Sequence, residues 1–277
     1  MDKKQDITFL EHHSPDPWQQ LKSFTRARIA IGRVGSSLPT SEVLNFGLSH
    51  AMARDAVHLA LDIDTLEADI RKHDFSTIRV KSMAADRATY LLRPDMGRRL
   101  HEQSLLQLQN LQHNHPNAKP IDFLIVVGDG LSSLAVARHA APLLKEIKNA
   151  CAIDASLKTW PASRVVIASQ ARVAIGDEIG QALNAKIVAM LIGERPGLSS
   201  PDSLGIYLTY HPQLGLSDAD RNCISNVRPE GLTYQAAAKK LIWLAKEAMR
   251  LKVTGIALKD ESDVQVINQQ AINVSKS

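Results

Sequence analysis

The residues of this chain whose types could do chemistry gather in three short stretches, each following an apolar run. Gly128-Asp129-Gly130-Leu131-Ser132-Ser133 imitates the opening of a dinucleotide fingerprint, in which glycines let backbone amides approach a pyrophosphate. It lacks the third glycine, and Asp129 would face a pyrophosphate with the wrong charge, which disfavours nicotinamide and flavin dinucleotides. The competing reading is a tight turn with an Asp cap. In Gly193-Glu194-Arg195-Pro196-Gly197 a carboxylate precedes a proline-stiffened turn. Glu194 there either accepts from amide or hydroxyl donors of a ligand or forms a solvated ion pair with Arg195 or a nearby base, which is worth little. The third stretch is the loop Ala171-Arg172-Val173.

Other reactive types are more isolated. Cys223 would need a base to act as a nucleophile, and with no histidine close in sequence it reads as a small buried hydrophobe. His113 and His115 have the look of a chelating pair, yet the surrounding Asn and Pro offer no third ligand and point to an exposed turn. Arg93, Arg98 and Arg99 would serve either to hold a phosphate at a helix start or to pair with acidic residues of a partner. No P-loop, GxSxG elbow or HExxH is present.

The elements around these stretches alternate. Ser76–Ser82 reads as a half-exposed strand; Ile121–Val127, Arg164–Ser169, Lys186–Ile192, Ile206–Tyr210 and Cys223–Val227 read as further short strands. Between them fall helical patterns: Leu134 to Ile147, which Pro142 should kink or interrupt, and Ile175 to Leu183. A closing helix carries Ala237, Leu241, Leu244, Ala248 and Leu251 on one face. Strands and helices at this spacing predict an α/β fold, a Rossmann-like doubly wound parallel sheet, whose strand carboxyl ends border a ligand crevice. The three glycine- and arginine-bearing stretches fall at that edge. Upstream, Pro39-Thr40-Ser41 signals a helix start, and Leu44, Leu48, Met52, Leu59, Ile63, Leu66 and Ile70 form one apolar stripe of one or two long helices. Pro94 and Asp95 suit the first turn of a helix continuing through Leu105, Leu108 and Leu111. The expected division is a flexible arm over 1–17, a mainly helical subdomain over 18–116, the Rossmann-like domain over 117–259 and a polar tail over 260–277.

Composition narrows the function classes. Aromatic residues make up 4% of the 277, so the core must come from Ala, Leu, Ile and Val, and a stacking platform for single-stranded nucleic acid is not expected. With 33 Lys plus Arg against 29 Asp plus Glu the formal charge is +4, too weak and too evenly spread for a nucleic-acid footprint, even with Arg26, Arg28 and Arg33 close together. No apolar run approaches a membrane span, and the polar start Met1–His13 lacks the apolar core of a signal peptide. Cys151 and Cys223 are the only cysteines, far apart and outside any CxxC, which excludes a disulfide framework and a structural zinc site.

Four stretches carry a resemblance. Leu92-Arg93-Pro94-Asp95-Met96-Gly97-Arg98-Arg99-Leu100, Gly128-Asp129-Gly130-Leu131-Ser132, Leu191-Ile192-Gly193-Glu194-Arg195-Pro196-Gly197-Leu198 and Ala219-Asp220-Arg221-Asn222-Cys223-Ile224-Ser225-Asn226 appear in order. Together they resemble the small (light) subunit of ethanolamine ammonia-lyase, and the likeness extends from about Trp18 to the closing helix. It implies an adenosylcobalamin-dependent lyase that converts ethanolamine to acetaldehyde and ammonia. In such a lyase a TIM-barrel large subunit holds the substrate, and the small subunit, itself without catalytic residues or metal ligands, covers the lower face of the cobalamin at the interface. The family's cofactor contacts carry over onto Val173, Glu194 and Cys223. The corrin signature D-x-H-x-x-G is absent here, which agrees with a cofactor that keeps its own lower ligand on cobalt. Location in a bacterial microcompartment is implied for some family members by a longer amino-terminal extension; the short arm before Trp18 makes the cytoplasm the other expectation. The reading set against this one is a self-sufficient nucleotide-dependent enzyme of Rossmann type built on Gly128-Asp129-Gly130.

Overall fold

The computed structural model describes residues 17–25, 27–114, 119–157 and 159–262. The expected arm before Pro17, His115 and most of the expected tail lie outside them. Along the chain the helices are α1 (Thr40–His58), α2 (Ile63–Arg71), α3 (Arg87–Leu92), α4 (Glu102–His113), α5 (Ser133–Ile153), α6 (Ile175–Ala182) and α7 (Tyr234–Leu251). The strands are β1 (Ser76–Lys81), β2 (Ile121–Gly128), β3 (Arg164–Ser169), β4 (Ala185–Gly193), β5 (Leu204–Tyr210) and β6 (Asn222–Val227). Two units separate, Met1–Ala51 and Met52–Ser277.

In the larger unit the strands form one sheet in the order β1-β3-β2-β4-β5-β6. β1 with β3, β3 with β2 and β2 with β4 pair in parallel, as the alternation predicts. β5 instead runs antiparallel to both its neighbours, β4 and β6, so the sheet is mostly parallel. The reason lies in the connections: a parallel crossover needs a dozen or more residues and usually a helix, and no helix separates β4 from β5.

Both faces of the sheet are covered, which is why β2 reads as a continuous apolar run rather than an alternating one. Phe123, Ile125 and Val127 pack with Leu143, Leu144 and Ile147 of α5 and Leu241 and Leu244 of α7. Leu124 and Val126 pack on the other side with Leu108 of α4 and Ile175 and Ile179 of α6. Helix α5 leads from β2 to β3, and α6 leads from β3 back across β2 to β4. The chain therefore winds in opposite directions on either side of β2, and the crevice at such a reversal opens at the carboxyl ends of the strands, here between β2 and β4.

Three helical details refine or correct the sequence reading. α5 runs through Pro142 without interruption. The stripe from Leu44 to Ile70 divides at residues 59–62: Leu66 and Ile70 of α2 are buried, while Leu44, Leu48 and Met52 of α1 are exposed. Asp62 caps α2 by accepting from the Thr65 amide at 3.0 Å. Finally, Pro94 and Asp95 do not start a helix that reaches Leu111. One 3-10 turn at Met96–Arg98 is followed by extended chain, Leu100 bridges to Ser82 beyond the end of β1, and α4 begins only at Glu102. Leu100 is held extended because its amide donates to the Glu178 carboxylate of α6 at 2.6 Å, with Arg99 paired to the same group at 3.1 Å.

The smaller unit is described from Pro17. A 3-10 helix at Pro17–Ser23 leads toward the first part of α1, with Lys22 paired to Glu42 at 3.4 Å and Arg28 stacked on Phe46 at 5.3 Å. Among the described residues no helix is long and apolar enough to cross a membrane.

Candidate functional site

Asp129 organises the crevice. Its side chain is buried and accepts from the amide of Gly130 at 3.0 Å, of Gln170 at 2.8 Å and of Ala171 at 2.8 Å, tying the turn after β2 to the turn after β3. Arg87 stands 3.6 Å away and donates to the Gly130 carbonyl at 2.8 Å. Burial raises the Asp129 carboxyl above the usual carboxylate range, against the lowering pull of these amides and of Arg87. The turn after β2 is tied equally closely to β4. Gly130 sits at φ +60°, and a Cβ there would lie 2.2 Å from the Gly193 carbonyl oxygen, while the Leu131 amide donates to that oxygen at 2.9 Å. The glycines thus serve the close approach of two strand ends. The amides of Gly130 and Leu131, which a dinucleotide site would offer to a pyrophosphate, are already bonded to protein oxygens. The structure holds a tight turn whose aspartate reaches across to the turn after β3, while Ser132 caps α5 by accepting from the Ala135 amide.

Above this floor is a cleft of about 430 Å³ lined by Tyr90, Gly130, Leu131, Arg172, Val173, Ile192, Gly193, Glu194, Arg195 and Tyr207. Two of the sequence-predicted contacts, Val173 and Glu194, are therefore in it. Glu194 makes no ion pair among the described residues. Its carboxylate takes a short hydrogen bond from the Ser203 hydroxyl and another from the Asn226 amide at 3.3 Å, and its own amide donates to the Ser203 carbonyl at 2.9 Å. Gly205 leaves room for it: a Cβ there would lie 2.9 Å from Oε1. The carboxylate is thereby fixed at the mouth of the β4–β5 connection with acceptor capacity remaining.

Cys223 is exposed on β6, which corrects its reading as a buried hydrophobe. Its thiol lies 3.3 Å from the Ser225 hydroxyl, and it sits directly across the ladder from Tyr207. It does not line the cleft itself; it flanks the Tyr207 wall. Burial pushes the Tyr207 phenol well above its usual range, with Cys223 and Glu194 adding to the effect.

Sequence reasoning missed Tyr90 as part of the site. Its ring is buried, its hydroxyl donates to the Ala171 carbonyl at 3.0 Å, and burial pushes its pKa up to about 12. Arg87 and Arg172 both lie over the ring, at 4.7 and 4.5 Å. Gly97 explains the glycine of the Leu92–Leu100 stretch: a Cβ there would lie 2.9 Å from the Arg172 Cγ and 3.0 Å from the Tyr90 ring, and the Gly97 carbonyl accepts from the Arg172 amide at 2.8 Å. The neighbouring arginines have other work, Arg93 pairing with Asp95 at 2.7 Å and Arg99 with Glu178. His113 is exposed at the end of α4 and bonds the Gln109 carbonyl at 2.8 Å. No group of three His, Cys, Asp or Glu that could hold a metal occurs among the described residues.

Comparison with known proteins identifies the family of the chain. The family model described as Ethanolamine ammonia-lyase light chain (EutC) matches residues 15–259. The ethanolamine ammonia-lyase small subunit of Pseudomonas fluorescens (strain Pf0-1) is 51% identical over 262 residues, covering 95% of this chain and 93% of that protein. Those of Pseudomonas syringae pv. tomato and Pseudomonas putida (strain W619) are 50% and 51% identical, covering 91% and 92% of this chain and 86% and 92% of theirs. With a family match over most of its length and half its residues shared with these relatives, the chain belongs to the ethanolamine ammonia-lyase small-subunit family.

Proposed function

We propose that this chain is the cofactor-gripping subunit of an adenosylcobalamin-dependent ethanolamine ammonia-lyase, working with a large subunit that holds ethanolamine and releases acetaldehyde and ammonia. The observation that carries the proposal is the cleft at the β2/β4 reversal, where an acceptor carboxylate stands beside apolar and aromatic walls. The cleft fits one side of a corrin. Neutral amides fringe the corrin, so it calls for acceptors such as Glu194 and for packing such as Val173, Leu131 and Ile192 provide, and the backbone amides a pyrophosphate would need are engaged elsewhere. When bound, the cofactor supplies radical chemistry through homolysis of its cobalt–carbon bond.

In this reading the cobalamin site is built mainly by residues 117–259, in one sheet with β1, and Tyr90 of α3 completes its wall. Val173 packs on the cofactor, Glu194 accepts from its amides, and Cys223 touches it beside Tyr207. The subunit binds and orients, and no residue of it takes part in bond making. A corrin with its nucleotide tail is larger than the cleft, so a partner has to cover the remainder. The first unit adds to the case for a partner, since Phe24, Leu44 and Leu48 are all more than half exposed.

Co-expression with the large subunit and assay of ammonia release from ethanolamine, with adenosylcobalamin added, tests the proposal. Activity should require both chains. Full activity from the large subunit alone would overturn it.

A further inference from the structure

Two arginines line the cleft without an ion pair among the described residues, Arg195, which is exposed, and Arg172, which is partly buried. The Arg172 guanidinium makes no hydrogen bond or ion pair among the described residues, although Nε is buried. Arg87, over the same Tyr90 ring, also has an unpaired buried Nη2, but its Nε and Nη1 are bonded to the Val57 and Gly130 carbonyls and its charge is met by Asp129. A buried donor left unmet calls for a partner, and the structure keeps Arg172 in place for one. The Tyr90 ring supports it from beneath, Gly97 contributes no side chain where a Cβ would displace it, and its own amide is anchored on the Gly97 carbonyl. A guanidinium stacked on an aromatic ring is weakly hydrated and presents a planar fork that matches two oxygens of one anion. The carboxylate in the same cleft, Glu194, is engaged with Ser203 and Asn226.

We infer that Arg172 is an anion-binding residue and that its anion is the phosphodiester in the nucleotide tail of the cofactor. The inference rests on the cobalamin reading above and deepens it. The amides around the corrin are neutral, and at neutral pH the phosphodiester is the anionic group of the molecule, so acceptor and cation in this cleft divide the cofactor between them. Glu194 takes amide N–H groups and Arg172 takes the phosphate.

The test compares cobalamin with cobinamide, which keeps the corrin and its amides but lacks the nucleotide and phosphate. Both are titrated into the reconstituted large–small complex by absorbance, with wild-type chain, Arg172→Gln and Arg172→Lys. Arg172→Gln should weaken cobalamin on the order of ten- to a hundred-fold and leave cobinamide within about two-fold, with Arg172→Lys recovering part of the loss. Inorganic phosphate should compete with cobalamin in the wild-type complex and lose that effect in Arg172→Gln. Equal weakening of both corrinoids, no change in either, impaired assembly with the cobalamin-to-cobinamide ratio intact, or phosphate competition that survives in Arg172→Gln would each overturn the assignment. A wild-type complex that binds neither corrinoid would instead refute the cobalamin reading beneath it.

Discussion

Removing the Asp129 carboxylate should loosen the loops on which the cleft is built. In Asp129→Ala the amides of Gly130, Gln170 and Ala171 lose their acceptor; Gly130 and Ala171 are buried and Gln170 is partly so. A buried donor left unpaired costs about 1–3 kcal/mol, so the two fully buried amides alone amount to roughly 2–6 kcal/mol. Two adjustments oppose each other. A carboxylate whose pKa is raised by burial is itself costly to keep charged, and its removal recovers some of that; Arg87 meanwhile loses the carboxylate 3.6 Å away. The expected net loss is about 2–4 kcal/mol, a large part of the stability of an ordinary domain. Asp129→Asn should cost less, because its oxygen still serves Gly130 and Ala171 from the Oδ1 position while its NH2 faces the Gln170 amide. Urea unfolding followed by circular dichroism gives the midpoint shift, and at a slope of about 1–3 kcal/mol per molar for urea the Ala variant should move by roughly 1 M or more. An Asp129→Ala midpoint corresponding to less than about 0.5 kcal/mol, the range of an ordinary surface change, would refute the role given to this carboxylate.

Other consequences are open to measurement. Glu194→Ala should weaken corrinoid binding to the reconstituted complex by about 1–3 kcal/mol while the chain stays folded, and an unchanged half-saturation would remove Glu194 from the site. Cys223 is exposed and Cys151 is buried with its thiol pushed up to about 12, so a thiol reagent should modify Cys223 quickly and Cys151 only after unfolding. Loading the complex with cobalamin should protect Cys223; equal rates with and without cofactor would count against its placement. The Asp177 carboxyl, raised to about 6 by burial despite its ion pair with Arg221, favours the folded state most below its ordinary value of 3.8. Its contribution is lost as pH rises through about 6, because in that window the folded chain binds more protons than the unfolded chain. Against Asp177→Asn, wild-type stability should therefore fall between pH 4 and 6 with a slope of at most about 1.4 kcal/mol per pH unit, and parallel denaturation profiles would contradict it.

Much of the sheet was readable because its strands carry their own signature. The runs Ile121–Val127, Arg164–Ser169 and Lys186–Ile192 are short and rich in β-branched residues, and each falls within a strand of the structure. Strand direction is not written in such runs. It follows from the connections, and the ten residues Glu194–Ser203 between β4 and β5, too few for a crossover helix, were the available sign that β5 turns back. The failure at Pro94 and Asp95 has a different cause, since Leu100 is drawn into extended chain by Glu178, a partner 78 positions away that no local pattern contains.

The candidate site was legible in part for the same reason. Val173 and Glu194 belong to loops that an α/β sheet sends to its crevice, whatever the details of packing. Tyr90 could not be found that way, because it reaches the crevice from α3, outside the strand–helix alternation. The glycine in Met96-Gly97-Arg98 was the local trace of it, a small residue whose reason emerges only when Arg172 is seen lying across Tyr90.

Whether the β2/β4 cleft receives the corrin is decided most directly by filling it. Val173 lines the cleft of about 430 Å³, and Val173→Trp would place an indole in that space. In an equilibrium titration of the reconstituted large–small complex with adenosylcobalamin, assembly should persist while the dissociation constant rises on the order of a hundred-fold, as expected when a bulky ring excludes a ligand from its pocket. A Val173→Trp complex that binds adenosylcobalamin as tightly as the wild type would place the cofactor elsewhere.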